Sequence, residues 1–364
     1  MKIYQTFARA ISFAMLALVL LLAAPIAAAQ NPTPTTEHVR ARIESMKLHA
    51  NEVLVAQGTA GTFVLRLHDS QKTITLEANI PDLLAKSLHA GDEVIVSRTT
   101  IGEKVLYQIV DVYRIWPLLA LFLVFFALVL YVARWQGIFS FAGMALSFVV
   151  ILQLIVPQIL SGTNAIFVSL LASMLMLPLI FYMAHGFHMK TTIAVVSTFV
   201  TLCITGIFGY AMVHAARLTG LTDEHVFFIT TLANNQFAIR DLLFAGFVIG
   251  ALGVLDDVSI SQTSVTFELH DASPKLSRTE LFARAMRVGR DHVSSLVNTL
   301  VLVYAGASLP LFLLFQQQHM SLDMALSSEL IATEIVRTLV VSIGVVVSVP
   351  ITTAASVWWC KRTP

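Results

Sequence analysis

Hydrophobic and polar positions change rhythm once along this chain. Between Arg42 and Arg114 the apolar residues come in short β-type runs at 52–57, 63–68, 73–78, 93–98 and 105–113. Gly58, Gly61, Asp69, Ser70, Gly91, Asp92 and Gly102 supply turns between them, as glycine and short polar residues do where the chain must reverse. Residues 81–88 are predicted as a short helix that opens on Pro81. Five strands with an interrupting helix suit a small OB-like barrel; a β-sandwich module fits the same pattern. From Trp116 onward the apolar stretches lengthen to about 20 residues, enough to cross a bilayer core. Seven spans are predicted, at 116–132, 138–157, 165–184, 191–214, 242–266, 293–315 and 330–358. Pro157, Pro178 and Pro350 fall within them, where neighbouring helices can satisfy the freed carbonyls.

The first residues follow a different pattern. Lys2 and Arg9 precede an apolar run from Ile11 to Ala24, and Ala27-Ala28-Ala29 stands before Gln30. A basic n-region, an apolar h-region and a small-residue cleavage site define a secretory signal peptide, here residues 1–29; an uncleaved anchor is the alternative. A Pro/Thr-rich linker follows, residues 30–41, then the β domain, 42–114, the membrane domain, 115–358, and a tail, 359–364.

Composition agrees with this division. Of 364 residues, 57% are hydrophobic and 12% charged, and the mean hydropathy is +0.79. Soluble chains carry about 25% charge, so the fold class is a mostly α, polytopic helical membrane bundle with a small β domain outside. A net charge of +1 offers no basic face to neutralise phosphates, and the β domain has no aromatic stacking face, so nucleic acid is excluded as a partner. Cys203 and Cys360 do not make a disulfide scaffold.

Charge also orients the chain. With the β domain outside, the inner loops hold Arg134, then Lys190, then Lys275, Arg278, Arg284, Arg287 and Arg290, and the tail holds Lys361 and Arg362. The outer loops hold only Arg217 and Arg240, and 316–329 has neither Lys nor Arg. The positive-inside rule therefore agrees with the signal peptide, and an odd number of spans leaves the C-terminus in the cytoplasm.

The fifth span carries the densest chemistry. Gly246, Gly250, Gly253, Asp257, Ser261, Ser264 and Glu268 fall in one stripe at about 100° per residue. Small residues let a neighbouring helix approach closely, which places Asp257 toward protein and Asp256 about 100° away, beside Ser259 and Thr263. An intramembrane carboxylate costs about 2.5–3.5 kcal/mol near the centre of a span and marks function by default. Two adjacent carboxylates in a poorly hydrated site resist ionising together, the property that a proton carrier needs. The bland reading, that the pair marks the cytoplasmic edge, leaves too short a span. By helical rise Asp257 lies about 8 Å above the inner edge, at the depth of Asn298 in the sixth span. Asp291, Ser294, Ser295 and Asn298 share one face of that helix, so Asp256, Asp257, Ser295 and Asn298 are the proton-relay candidates. Asn298 as interhelical glue is the competing role.

In the seventh span Glu334 and Arg337 are spaced for an intramembrane ion pair, with Gly344, Ser348 and Thr352 along the same face. His185 and His188 have i,i+3 spacing, but Gly186 and Lys190 make this an inner turn, and two histidines without a third ligand do not make a metal site. No P-loop, nucleophile elbow, HExxH or kinase motif is present, so neither a metal, a cofactor nor an enzymatic role is expected. Asp223 and Glu224 begin an outer amphipathic helix.

The segments GALGVLDDVSISQTSVTFEL, RVGRDHVSSLVNTLVLVYAGASLPLFLLF and ELIATEIVRTLVVSIGVVVSVPITTA, with HGFHMKTTIA as a weaker match, resemble the YibE/F-like family of bacterial membrane proteins over the whole spanning region. That resemblance implies a multi-pass protein of the bacterial plasma (inner) membrane and no particular activity. A weaker likeness is to the proton-carrying repeat of RND exporters and SecD/SecF proteins. It rests on a glycine-rich span ending in Asp256 and Asp257, a basic segment at 277–290, and an outward span at 293–315. Four spans rather than three precede the Asp helix and there is one half rather than two, so the likeness implies a second copy or a partner subunit to complete an exporter cycle. Two functions follow: proton-coupled transport or energy transduction through the Asp pair, with its substrate unspecified, and a membrane scaffold that recruits envelope partners through the β domain.

Overall fold

A computed structural model of the chain describes residues 36–48, 59–80, 87–101, 104–221, 239–318 and 320–362. The expected signal segment, the run at 52–57, most of the helix at 81–88 and the helix begun by Asp223 and Glu224 lie outside these residues. The chain divides between Val132 and Ala133 into two compact units.

In the first unit, β1 (Thr36–Leu48), β2 (Thr59–Leu67), β3 (Thr73–Ile80), β4 (Glu93–Ile101) and β5 (Lys104–Val112) form one sheet in the order β3-β2-β1-β4-β5. Every neighbouring pair is antiparallel. The central strand β1 starts at Thr36, inside the stretch read as linker. Its first half pairs with β4 and its second with β2, Val39 facing Val96 and Met46 facing Phe63. Alternate residues Ala41 and Ile43, Phe63, Leu65 and Leu67, and Val94 and Val96 are buried, the period-two signature of a sheet with one face on its core. Irregularities at Ile43/Ser45 and Ile95/Val96 add local twist, and the two edge strands, β3 and β5, come near one another. Outside this core, backbone Val112 N–H and then Arg114 hold the Asp111 carboxyl below the usual carboxylate range.

The helices are α1 (Ile115–Val150), a π-helical turn (Ile151–Ile155), α2 (Val156–Leu160), α3 (Ala165–His185), α4 (Met189–Ala215), α5 (Ile239–Ala272), α6 (Arg278–Ala307), α7 (Leu309–Gln317), α8 (Leu322–Ser327) and α9 (Glu329–Cys360). Among the described residues five stretches are long and apolar enough to cross a membrane, with a sixth if the bent pair α6–α7 is one span. The first of these candidates runs 46 residues, from Ile115 to Leu160. At 1.5 Å per residue that is about 69 Å, more than twice the hydrocarbon thickness. Its backbone leaves helical geometry at Arg134 (φ 54°, ψ −131°), inside the predicted loop 133–137. The π-turn just ahead of Pro157 relieves the clash of a proline ring with the preceding turn.

The predicted amphipathic segment 277–290 and the start of the sixth span are one helix, α6. It opens with a capping box in which Ser277 and Glu280 bond each other's backbone N–H groups. The predicted span then breaks at Ser308, where α7 turns by 55°. Pro310, near the start of α7, fits a first helical turn because its missing N–H needs no partner there.

Helices α4, α5 and α9 pack mutually, with α3 and α6 each against α5. Buried hydroxyls and one amide join them. Ser259 Oγ lies 3.1 Å from Ser348 Oγ, and Gln262 Nε2 donates to Ala285 O at 3.0 Å and to Thr353 Oγ1 at 2.7 Å. Gln262→Leu is expected to cost about 1 kcal/mol, in the measured range for interhelical bonds in membranes. The cost stays small because Thr353 keeps its bond to Val349 O; the midpoint of unfolding in mixed micelles measures it.

Polar ties close one end of the bundle. Glu329 at the start of α9 accepts from Thr219 N–H (2.5 Å) and Gly220 N–H (2.7 Å) beyond α4. Gly220 has φ +86°, and a Cβ there would lie 2.9 Å from Ile239 O, so glycine is required. Arg240 donates to Leu218 O, and Asn164 to Asp241. At the other end Lys361 Nζ donates to Pro274 O.

Candidate functional site

Helix α5 runs unbroken for 34 residues, about 51 Å, with Asp256 and Asp257 near its middle. Its buried side carries Leu255, Val258, Ser259, Gln262, Thr263 and Thr266 against α4 and α9. The glycine stripe faces the other way. A Cβ added at Gly246 or Gly253 meets nothing within 4 Å, and one at Gly250 reaches only Tyr304 Oη at 4.0 Å. Gly246, Gly250, Gly253 and Asp257 are exposed within the chain, and Asp256 is half-buried. The close neighbour implied by the stripe is therefore not among the described helices of this chain.

Asp257 N–H donates to Asp256 Oδ1 at 2.8 Å, turning the Asp256 carboxyl back along its own helix. Both aspartates line a cavity of about 40 Å³ with Ile180, Phe181 and His185 of α3 and Ile260 of α5. A space of that size admits a few water molecules. His185 is in the last turn of α3. The α3 helix stops at Gly186, with φ +73°. Lys190 of α4 and Asp257 act on His185 with opposite sign.

Asn298 and Ser295 lie on an exposed part of α6 and do not line this cavity. Among the described residues no hydrogen bond links either to Asp257; Ser295 O accepts from Thr299 Oγ1 at 2.9 Å. His185 is the residue that the sequence reading left in the inner turn. It lies just past the inner end of the third predicted span, about 8 Å below the level inferred for Asp257, so depth did not single it out. His188 does not join it in the cavity; its ring lies against Gly186. Among the described residues no group of three His, Cys, Asp or Glu is arranged to hold a metal ion.

Arg337 Nη1 and Glu334 Oε1 are 2.9 Å apart, and the guanidinium sits 5.4 Å from the Phe247 ring centroid. Arg337 Nε is buried without a partner. Glu334 also borders a cavity of about 200 Å³ between α6–α7 and α9, lined mainly by apolar residues such as Val301, Phe312, Ile335 and Leu339. The pair neutralises itself locally, as i,i+3 partners do.

Comparison with known proteins gives one family. The sequence model described as YibE/F-like protein matches residues 121–362. No curated protein and no solved structure matches the chain.

Proposed function

The chain belongs to the YibE/F-like family, and from that premise we propose that it is a proton-coupled transporter or energy transducer in which Asp256 and Asp257 take up and release protons. The observation that carries this reading is the placement of two consecutive carboxylates in an apolar helix, against a water-sized cavity that also holds a histidine. Carboxylates at such a position are expensive to insert and persist where they bind protons or ions. We read the 46-residue apolar run as two spans joined at Arg134, which with the bent pair gives seven. The curled sheet, with β1 shared between β2 and β4 and its edges close, supports an OB-like reading of the outer domain. The loop charges support a reading with that domain outside a bacterial plasma membrane and the C-terminus inside.

Infrared spectroscopy of the purified protein in lipid tests the proposal. A carboxylic C=O band should appear and vanish with pH in the wild-type chain and be absent in the Asp256→Asn, Asp257→Asn double variant. A wild-type spectrum without that titrating band removes the basis of the reading.

One observation favours a second reading, a scaffold or one half of a larger assembly. The face of Gly246, Gly250 and Gly253, left open by the described helices, suits close approach of a further helix such as one from a second copy or a partner subunit. Tolerance of both Asn substitutions, with loss of function on deleting the β domain, distinguishes it.

A further inference from the structure

We infer that His185 is the group through which the Asp pair exchanges protons with the cytoplasmic side; this rests on the proton-carrying reading of Asp256 and Asp257. His185 shares the small cavity with both carboxylates and is also exposed at the end of α3. It thus borders the cavity of the aspartates on one side and is uncovered by the chain on the other. Ile180, Phe181 and Ile260 form the rest of the lining, so the imidazole is the polar contribution of α3 to an otherwise apolar wall. Asp256 is half-buried and Asp257 exposed, so Asp256 is the deeper acceptor of the two.

The transfer balances simply. One ring nitrogen takes a proton from hydronium and gives imidazolium. The imidazolium passes a proton, directly or through one cavity water, to the Asp256 or Asp257 carboxylate. A +1 and a −1 group become two neutral ones, and no other reactant is required. Histidine suits the task because its unperturbed charge change falls near neutral pH. The charged and titratable groups around it are Asp256 and Asp257 on α5, Lys190 at the start of α4, and His188 in the turn between α3 and α4. Lys190, at the start of α4, acts on His185 as a like charge, which favours handing the proton on to the carboxylates.

The test follows the Asp C=O band of the full chain in lipid after a pH jump. His185→Ala and His185→Gln should each slow its appearance about 100-fold, within the usual range for removing a positioned proton-transfer group. Imidazole added to the buffer should restore the rate in His185→Ala. A wild-type rate in both variants overturns the inference. Slowing that imidazole does not relieve assigns His185 to packing and overturns it equally. Loss of the band in the wild-type chain is a different failure, because it removes the proton-carrying role of the aspartates themselves.

Discussion

Replacing Asp256 and Asp257 together with asparagine is expected to lower proton-coupled function at least about 100-fold while leaving the protein at its normal level in the membrane. Asparagine keeps the size and most of the hydrogen bonding of aspartate but carries no exchangeable acid proton. The backbone bond from residue 257 to the side chain of residue 256 survives, because an amide oxygen accepts as well. Removing the two acids also removes an insertion cost of about 2.5–3.5 kcal/mol each at mid-span. The variant should therefore be no less stable than the wild type, and loss of function without loss of stability separates a working site from a packing site. Of the single changes, Asp256→Asn should have the larger effect, since Asp256 is the more enclosed and Asp257 the more exposed of the two. Rescue of a deletion phenotype, with membrane levels matched by immunoblot, measures both. Full rescue by the double variant would leave the scaffold reading as the better one.

Adding a single methyl group at Gly289 or Gly344 is expected to cost about 1–3 kcal/mol, the range for overpacking a tight core. At Gly289 the new Cβ collides with Val349 Cγ1 and comes within 2.9 Å of Gln262 Oε1. Val349 is β-branched and cannot swing clear, and Gln262 is held by its two bonds to α6 and α9. At Gly344 the collision is with Thr205 Oγ1, which is tied to Thr201 O at 2.8 Å. Relief in either case requires α9 to move away from α6 or from α4. Gly253→Ala supplies the contrast: nothing lies within 4 Å of its Cβ position, and stability of the isolated chain should not fall. Thermal unfolding in detergent compares the three variants. Equal melting temperatures for Gly289→Ala and wild type would show that this contact gives way cheaply.

The two glycine sets show where sequence reasoning reached its limit. The regular spacing of Gly246, Gly250 and Gly253 made them the visible stripe, yet they face away from the chain's own core. Gly289 stands singly among charged and apolar residues and Gly344 shares a small-residue face with Ser348 and Thr352, but the tight contacts of both come from helices far apart in sequence. The same limit applies to the acids. Helical geometry placed Asp256 and Asp257 on definite faces of α5, but the choice of α3 as the helix beside them depends on the packing of α3, α4 and α5. Depth favoured Asn298, which shares the level inferred for Asp257, and gave no signal for His185 at the inner edge. Strand β1 alternates Val39, Ala41 and Ile43 with Arg40, Arg42 and Glu44, the period of a strand, but it follows directly on a Pro/Thr-rich run, and its place at the sheet centre comes only from pairing with β2 and β4.

Taken alone, the sequence determined that this chain carries several apolar helices long enough to cross a membrane with a β segment ahead of them, which family it resembles, and that an acid pair lies inside an apolar helix. Those properties follow from local quantities: run length, side-chain period and the cost of placing charge in hydrocarbon. Tertiary structure alone decided that β1 joins β2 to β4, that the glycine stripe is open, that Gln262 binds α6 to α9, and that His185 shares the cavity of the aspartates. Each of these depends on which helix or strand lies beside which. That choice is made by the summed packing of whole faces, which no short stretch of residues encodes.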